Sequence, residues 1–294
     1  AETAAWETDS SIVTVQITLT DSLRHIFIVN SLGLQSGDTR PQMRLRAVAT
    51  AEKGNERHIG FSSGGGRAGM NYFRCVRSPE NIARTAAGDA VTLLSAQEPP
   101  PGVLPVVLGA KHAGVMIHEA VGHPLEADSH RKKTAVLCGK LGQKVASQQV
   151  TIYDAPLIPH LRGSLNVDDE GTLPVKTTLI EKGVLTGLIH DRLSAAHFNT
   201  PSNGHARRES YQSPPIPRMT NTVLAPADRE PDEIIKSVDR GFFASSFQGG
   251  QVQDSGKFTF SVNLGYKIEK GELTVPVKNA TLIGSNLDIL KRID

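Results

Sequence analysis

The feature that most constrains the fold is the string H-E-A-V-G-H at residues 118–123, which places two histidines five positions apart. On a regular α-helix that spacing turns the second side chain by roughly 140° from the first, so both could not reach one ion. A π-type turn or a helix break would bring them together. Gly122 is a poor helix former, and Pro124 disfavours the α conformation for His123, so we expect a distorted helix end.

The residue types in this string are those of a zinc hydrolase. His118 and His123 offer two neutral nitrogens for a metal, and the carboxylate of Glu119 can handle a proton. Short motifs of this kind also arise by chance, and the alternative is two unrelated histidines at a helix terminus. The string by itself leaves both interpretations open.

Composition excludes several classes of function. The 294 residues carry a formal net charge of +2 and only 5% aromatic residues, which argues against nucleic-acid binding. No apolar run is long enough to span a membrane. Two cysteines, Cys75 and Cys138, make no disulfide framework, and a cytoplasmic location fits best. Because the chain begins at Ala1 within polar sequence and ends at Asp294 directly after an apparent helix, we expect truncation at both ends.

Residues 1–98 read as an antiparallel meander followed by a helix. Residues 11–20 alternate apolar and polar side chains, and further strands are predicted at 25–29, 43–47 and 58–61. Ser78-Pro79-Glu80 is a helix start, and the helix should reach about Ser95. The proline run after Glu98 is typical of a stiff spacer and marks a domain boundary.

Residues 103–294 read as a second domain in which a buried strand at 104–108 leads into the histidine segment. Two similar hairpins are predicted at 180–186 and 268–274, each with Lys-Gly at its tip. The chain as a whole therefore indicates an α+β fold with two domains, rich in antiparallel sheet, that carries the H-E-x-x-x-H motif on a short distorted helix.

Several polar segments have both a functional and a plain interpretation. The loops at 203–211 and 214–222 mix Arg, Tyr and Asn, which grip peptide carbonyls and carboxylates, but they could equally be surface loops. Residues 166–172 could order a cation or a peptide amine, or form an acidic turn. His130 could belong to the site or to a solvated loop. The glycine cluster at 62–67 lacks the signature of a phosphate-binding loop.

A series of collinear stretches carries a family resemblance over nearly the whole chain. The sequence resembles the TldD/PmbA family of zinc metallopeptidases, on the TldD side. The matching stretches are Asn30-Ser31-Leu32-Gly33, His118-Glu119-Ala120-Val121-Gly122-His123 with Leu125-Glu126, Asp168-Asp169-Glu170-Gly171-Thr172, Arg208-Glu209-Ser210-Tyr211, Pro217-Arg218-Met219-Thr220-Asn221-Thr222, Gly249-Gly250-Gln251-Val252, Pro276-Val277-Lys278 and Ala280-Thr281-Leu282-Ile283-Gly284.

The resemblance implies roles for individual residues. His118 and His123 would ligate Zn²⁺, and Glu119 would be the general base. The family's third ligand is a cysteine in a segment that lies beyond Asp294. Cys138 stands in a similar Cys-Gly-Lys string, but its place in the order of motifs argues against a ligand role. Residues 1–98 would be part of the family's middle domain, and 103–294 the C-terminal catalytic domain without its end.

The resemblance also implies the activity. A zinc-dependent peptidase of this family hydrolyses small or unfolded peptides inside a dimer cavity, formed with a TldE-like partner or a second copy. Arg208, Arg218 and Asn221 are then candidates for substrate binding. The alternative is a non-cleaving subunit that binds peptides or scaffolds a partner. The complete set of His118, Glu119 and His123 favours the peptidase, since inactive relatives lack it.

Overall fold

The computed structural model describes residues 1–253 and 256–294, and of Lys111 and His112 it describes the backbone only. The fold is mixed α+β with mostly antiparallel sheets, as predicted. Within the described ranges, no helix combines the length and the apolar character that crossing a membrane requires.

The N-terminal part is a three-stranded antiparallel meander with one long helix against it. Its elements are α1 (Glu2–Trp6), β1 (Ile12–Val29), β2 (Gln35–Lys53), β3 (Glu56–Gly66), α2 (Tyr72–Cys75) and α3 (Pro79–Leu93). The predicted separation between strands 11–20 and 25–29 is wrong. Both belong to β1, because β2 pairs with it without interruption through Asp21 and Ser22.

The glycine cluster lies in strand β3 and serves packing. A Cβ on Gly60 would lie 2.1 Å from the carbonyl oxygen of Ala86, and one on Gly64 would lie 2.6 Å from Ile82. Both contacts are with α3, whose inward face is largely alanine. Small residues on both sides let the helix lie close to the strand, and Gly64 is the glycine of the cluster that faces α3.

The described part of the rest of the chain forms two four-stranded sheets and a two-stranded ribbon. Its helices are α4 (Ala110–Ile117), α5 (Ala127–Arg131), α6 (Arg192–His197), α7 (Pro231–Lys236) and α8 (Asn286–Lys291). Its strands are β4 (Val106–Leu108), β5 (Ile152–Asp154), β6 (Thr177–Glu181), β7 (Val184–Leu185), β8 (Ala206–Arg207), β9 (Ile216–Pro217), β10 (Thr222–Leu224), β11 (Arg240–Val252), β12 (Lys257–Glu269) and β13 (Glu272–Ser285).

The sheets follow local sequence signals. The orders are β13-β12-β11-β4, with β4 parallel to β11, and β10-β5-β6-β7, while β8 pairs with β9. Both predicted Lys-Gly hairpins are confirmed. Lys182 and Gly183 have φ of 45° and 83°, and Lys270 and Gly271 have φ of 53° and 76°. Two consecutive positive φ values are what a tight hairpin turn with the twist of the strands requires.

Helix α4 is the element that positions the histidine motif. It follows β4 after one residue and contacts both β10 and β11, so it lies between the two four-stranded sheets. Met116, Ile117, Val121 and Leu125 are buried in the largest hydrophobic core. A separate core lies between β2 and α3. Residues 98–105 contain neither helix nor strand, and the domain boundary within them stays a prediction.

Candidate metal centre

The histidine motif forms a π-helical turn. Helix α4 continues into a π-turn over His118–Gly122, which is followed by a 3-10 turn over His123–Leu125. The backbone N–H of His123 donates to the carbonyl of His118, five residues earlier. Because this wider turn brings residues five apart above one another, it solves the spacing problem that a regular helix poses. Of the two predicted alternatives, a π-type turn and a helix break, the structure has the π-type turn.

The predicted cause of the distortion is wrong in one respect. His123 keeps right-handed helical dihedrals, with φ −60° and ψ −44°, although Pro124 follows it. The chain leaves the helix only at Glu126, with φ −70° and ψ 118°. In a regular helix Pro124 would press against the carbonyl four residues before it and leave that carbonyl without a donor. Widening the turn relieves the clash without driving His123 out of the helix.

Gly122 is required because a side chain would not fit there, and not because of its backbone conformation. Its φ of −57° is helical, so any residue could adopt it. A Cβ there, however, would lie 1.7 Å from Sδ of Met219, a buried residue on the segment between β9 and β10. The π-turn and this segment therefore pack directly on each other.

The turn brings three ligand-type side chains together. The ring centroids of His118 and His123 lie 4.7 Å apart, at an interplanar angle of 82°. One potential ligand atom from each of His118, Glu119 and His123 lies within 4.8 Å of the others. Two imidazole nitrogens and a carboxylate oxygen are donor types that zinc takes in proteins.

The surroundings shift the pKa values of the two imidazoles in opposite directions. The pKa of His118 is lowered, first by partial burial and then by the positive charge of His123. A neutral imidazole is the form that binds a metal. The pKa of His123 is raised, above all by its hydrogen bond to Glu126, while burial opposes that rise.

Glu126 connects the motif to a predicted substrate residue. Its Oε2 lies 3.2 Å from Nδ1 of His123 and accepts a hydrogen bond from Nη1 of Arg218 at 2.6 Å. The Glu126 side chain is only 6% exposed, against 32% for Arg218. From the sequence Glu126 is merely a polar residue near the motif. Its i,i+3 spacing from His123 is the signal that would have found the contact.

Further arginines lie on the segments that follow the motif in the chain. Arg207 lies close enough for its charge to lower the pKa of His118, although no sequence pattern marks it as a site residue. The exposed Arg208 donates from Nη1 to the carbonyl of Ser213 at 2.6 Å. Its backbone N–H donates to Oδ2 of Asp169 at 2.7 Å. The ribbon of β8 and β9 carries Arg207 and leads into Arg218.

Asn221 is occupied by contacts within the protein. Its Nδ2 donates to the carbonyl of Ala155 and to Oγ of Ser164, each at 2.8 Å. Its Oδ1 accepts the backbone N–H of Gly163 at 3.2 Å. These contacts tie three segments together and leave no amide proton for a substrate. The substrate-binding role of Asn221 stays a prediction.

The remaining polar candidates have structural partners. Asp168 accepts backbone N–H groups of Glu170, Thr172 and Ala206, so the acidic segment is a turn that holds strand β8. The ring of His130 is buried and lies 2.7 Å from the carbonyl of Pro124, so this residue belongs to no solvated loop. Cys138 lies with Sγ 3.7 Å from the carbonyl of His130, and the ligand cluster among the described residues does not include it.

Comparison with known protein families covers most of the chain. Residues 1–94 match the model of the PmbA/TldA metallopeptidase central domain. Residues 101–294 match the model of the PmbA/TldA metallopeptidase C-terminal domain.

Curated relatives agree with these matches. The chain is 40% identical over 293 residues to a metalloprotease TldD homolog of Buchnera aphidicola, covering 97% of this chain and 60% of that protein. It is 40% identical over 290 residues to the Haemophilus influenzae homolog, with the same coverage. A zinc metalloprotease TldD homolog of Saccharolobus solfataricus is 31% identical over 230 residues, covering 76% and 51%. The chain thus spans about 60% of the length of the first relatives.

Solved structures share the fold. A Thermotoga maritima protein described as a candidate modulator of a DNA gyrase superposes with a TM-score of 0.87 at 26% identity, covering 99% of this chain and 67% of the other. TldE from Thermococcus kodakarensis superposes with a TM-score of 0.83 at 23% identity, covering 100% and 65%. The second likeness concerns the fold alone.

Proposed function

The chain belongs to the PmbA/TldA metallopeptidase family, and on that premise we propose that it is a zinc-dependent peptidase acting on small or unfolded peptides. The observation that carries the proposal is the π-turn that gathers His118, Glu119 and His123 within 4.8 Å. The names of the relatives support a metal-dependent protease, and one of them specifies zinc.

In this proposal His118 and His123 hold the ion. Bound zinc would supply Lewis-acid chemistry, polarising a peptide carbonyl and making a water molecule acidic near neutral pH. Glu119 takes the proton of the attacking water and delivers it to the leaving amine. Partial burial supports the ligand role of His118, because it lowers the pKa of the imidazole and keeps it neutral.

We assign substrate binding to Arg218, which contacts Glu126, and to Arg208, which follows strand β8. Arg218 and Arg208 would bind carbonyl or carboxylate groups of the peptide, and the guanidinium geometry suits both. In this proposal Asn221 contributes to substrate binding indirectly, because it holds the segments that contain Ala155, Ser164 and Gly163 in place.

The third ligand and the assembly belong to the same proposal. The contacts of Cys138 do not support a ligand role, so the cysteine that the family resemblance implies beyond Asp294 remains the expected third ligand. We expect the site to face a cavity closed by a TldE-like partner or a second copy, and the protein to act in the cytoplasm. Light scattering of the purified protein, alone and mixed with such a partner, tests the assembly.

Replacing the proposed base tests the function directly. Glu119→Gln removes the proton acceptor but keeps the size of the side chain, so peptide cleavage should fall by about 10²–10⁴-fold. Zinc content, measured by atomic emission, should stay near that of the unchanged protein because both histidines remain. Full cleavage by the zinc-loaded variant would rule out Glu119 as the base.

A non-cleaving, peptide-binding or scaffolding subunit is the second candidate. Such a protein would have no need for a complete set of two imidazoles and a carboxylate, and the close grouping of His118, Glu119 and His123 therefore favours the peptidase. Zinc-loaded protein that binds peptides but leaves them intact on prolonged incubation would favour the subunit instead.

A further inference from the structure

We propose that Glu126 is a positioning residue that orients His123 for metal binding by holding its Nδ1–H, so that Nε2 is presented to the ion. The inference rests on the proposed function and deepens it, because it assigns the residue that prepares one of the two metal ligands.

The contact is direct and is made by a buried group. Oε2 of Glu126 lies 3.2 Å from Nδ1 of His123, and the carboxylate side chain is 6% exposed. A ring nitrogen that faces an ionised carboxylate carries the proton, which leaves the other nitrogen of a neutral imidazole with its lone pair. Histidines that bind metals commonly donate their other N–H to a carboxylate in this way, and that contact fixes both the tautomer and the ring orientation.

The backbone holds Glu126 in place. Glu126 is the first extended residue after the 3-10 turn, and its backbone forms a parallel bridge with Ile189. Ile189 donates to the carbonyl of Leu125 at 3.1 Å and accepts from the N–H of Ala127 at 3.0 Å. Leu125 and Ala127 are fully buried. The carboxylate is therefore mounted on a rigid segment, which is what precise placement of a ligand requires.

Arg218 supplies the charge that a buried carboxylate needs. Its Nη1 donates to the same oxygen, Oε2, at 2.6 Å. The second oxygen, Oε1, is buried and has no hydrogen-bond partner among the described residues. A purely structural ion pair would gain more from a two-point contact that used both oxygens. An unpaired Oε1 lowers the stability of the fold, while His123 and Arg218 share Oε2. Stability therefore does not explain the arrangement, which favours a role for Glu126 in orienting His123.

The arrangement also joins the metal ligand to the proposed substrate loop. Arg218 is held at its backbone, where its N–H donates to the carbonyl of His205 at 2.8 Å. The adjacent Met219 packs against Gly122 in the π-turn. A single oxygen of Glu126, Oε2, thus links His123 to Arg218.

Zinc affinity measured by chelator competition tests the inference without reference to cleavage. Glu126→Gln removes the charge and keeps the shape, and we expect zinc to bind about 10–100-fold more weakly. The matched control is Asp128→Asn, which removes a carboxylate two residues away that contacts Lys132 at 2.9 Å. The control should bind zinc as the unchanged protein does. Equal zinc affinity of Glu126→Gln and the unchanged protein would overturn the inference.

A second measurement separates orientation from folding. In the metal-free protein at pH 8.5, the ¹⁵N shifts of His123 should report the Nδ1–H tautomer, and Glu126→Gln should shift His123 toward a mixture. A merely structural role would lower the unfolding temperature and leave the tautomer as it is, which counts against the inference. If the unchanged protein binds zinc and cleaves no peptide, the proposed function fails, while the affinity ratio and the tautomer still decide the role of Glu126.

Discussion

Nη1 of Arg40 lies 2.7 Å from Oδ1 of Asp169, and the two side chains are 10% and 8% exposed. Arg40 belongs to β2, and its Nη2 also donates to the carbonyl of Val167 at 2.7 Å. The other oxygen of Asp169 accepts the backbone N–H of Arg208. Arg40 of the N-terminal sheet therefore holds Asp169 of the acidic turn. Asp169 in its place holds the backbone of Arg208, a proposed substrate-binding residue.

Removing that arginine should be strongly destabilising. Arg40→Met leaves Asp169 and Asp38 buried with fewer partners, and breaking a buried pair costs about 3–5 kcal/mol. Urea unfolding measures the loss. Arg57→Met is the control, since the ion pair of Arg57 with Glu52 is exposed and should contribute about 1 kcal/mol or less. Equal losses in the two variants would contradict the importance of burial here.

Gly122→Ala should strain the π-turn. The added methyl group meets the side chain of Met219, and such overpacking costs about 1–3 kcal/mol. Zinc affinity should fall as the turn shifts. Gly114→Ala in α4 is the control: it has open space around it, so the helix should gain about 0.5–1 kcal/mol. Adding Met219→Ala to Gly122→Ala should recover the zinc affinity, and failure to recover it would argue against steric strain.

Zinc should stabilise the protein through the two histidines. A ligand at 100 times its dissociation constant raises the free energy of unfolding by about 2.7 kcal/mol, so the melting temperature should rise with zinc and fall again with chelator. His118→Ala should abolish most of this shift. His25→Ala, which changes an exposed histidine on β1, should not. A shift that survives His118→Ala would mean that zinc binds elsewhere.

Acid should weaken the protein partly through Asp154. Burial raises the pKa of Asp154, but hydrogen bonds from His205, Thr220 and Thr222 outweigh it and leave the pKa below its usual value. The resulting stability is present above about pH 4, where an unfolded aspartate is ionised, and is lost as the pH falls through the folded pKa. Urea midpoints at pH 7, 4 and 3 measure the loss. Asp154→Asn should be less stable than the unchanged protein at pH 7, and its urea midpoint should fall less between pH 4 and pH 3. An equal fall in the two proteins would contradict the assignment to Asp154.

Local signals in the sequence predict local structure well. The Lys-Gly pairs at 182–183 and 270–271 are both tight turns with positive φ. Glycine marks such turns in a sequence because few other residues adopt that conformation. Ser78 caps α3 through the N–H of Asn81, as its place before Pro79 indicates. The five-residue spacing of the histidines predicts a π-turn or a helix break, since a regular helix would not bring both side chains to one ion. Each of these depends on a few neighbouring residues, so the chain itself carries the information.

Contacts between distant segments are not visible in the same way. The sequence marks Gly122 as a helix breaker, and only packing shows that it makes room for Met219, 97 positions later. Arg40 and Asp169 are 129 residues apart, and no local pattern pairs them. The amino-acid sequence by itself determined the two Lys-Gly turns, the cap of α3 and the type and spacing of the proposed metal ligands. Which arginine lies beside Glu126 was decided by the tertiary structure, because the contact with Arg218, 92 residues away, exists only once distant segments pack around the π-turn.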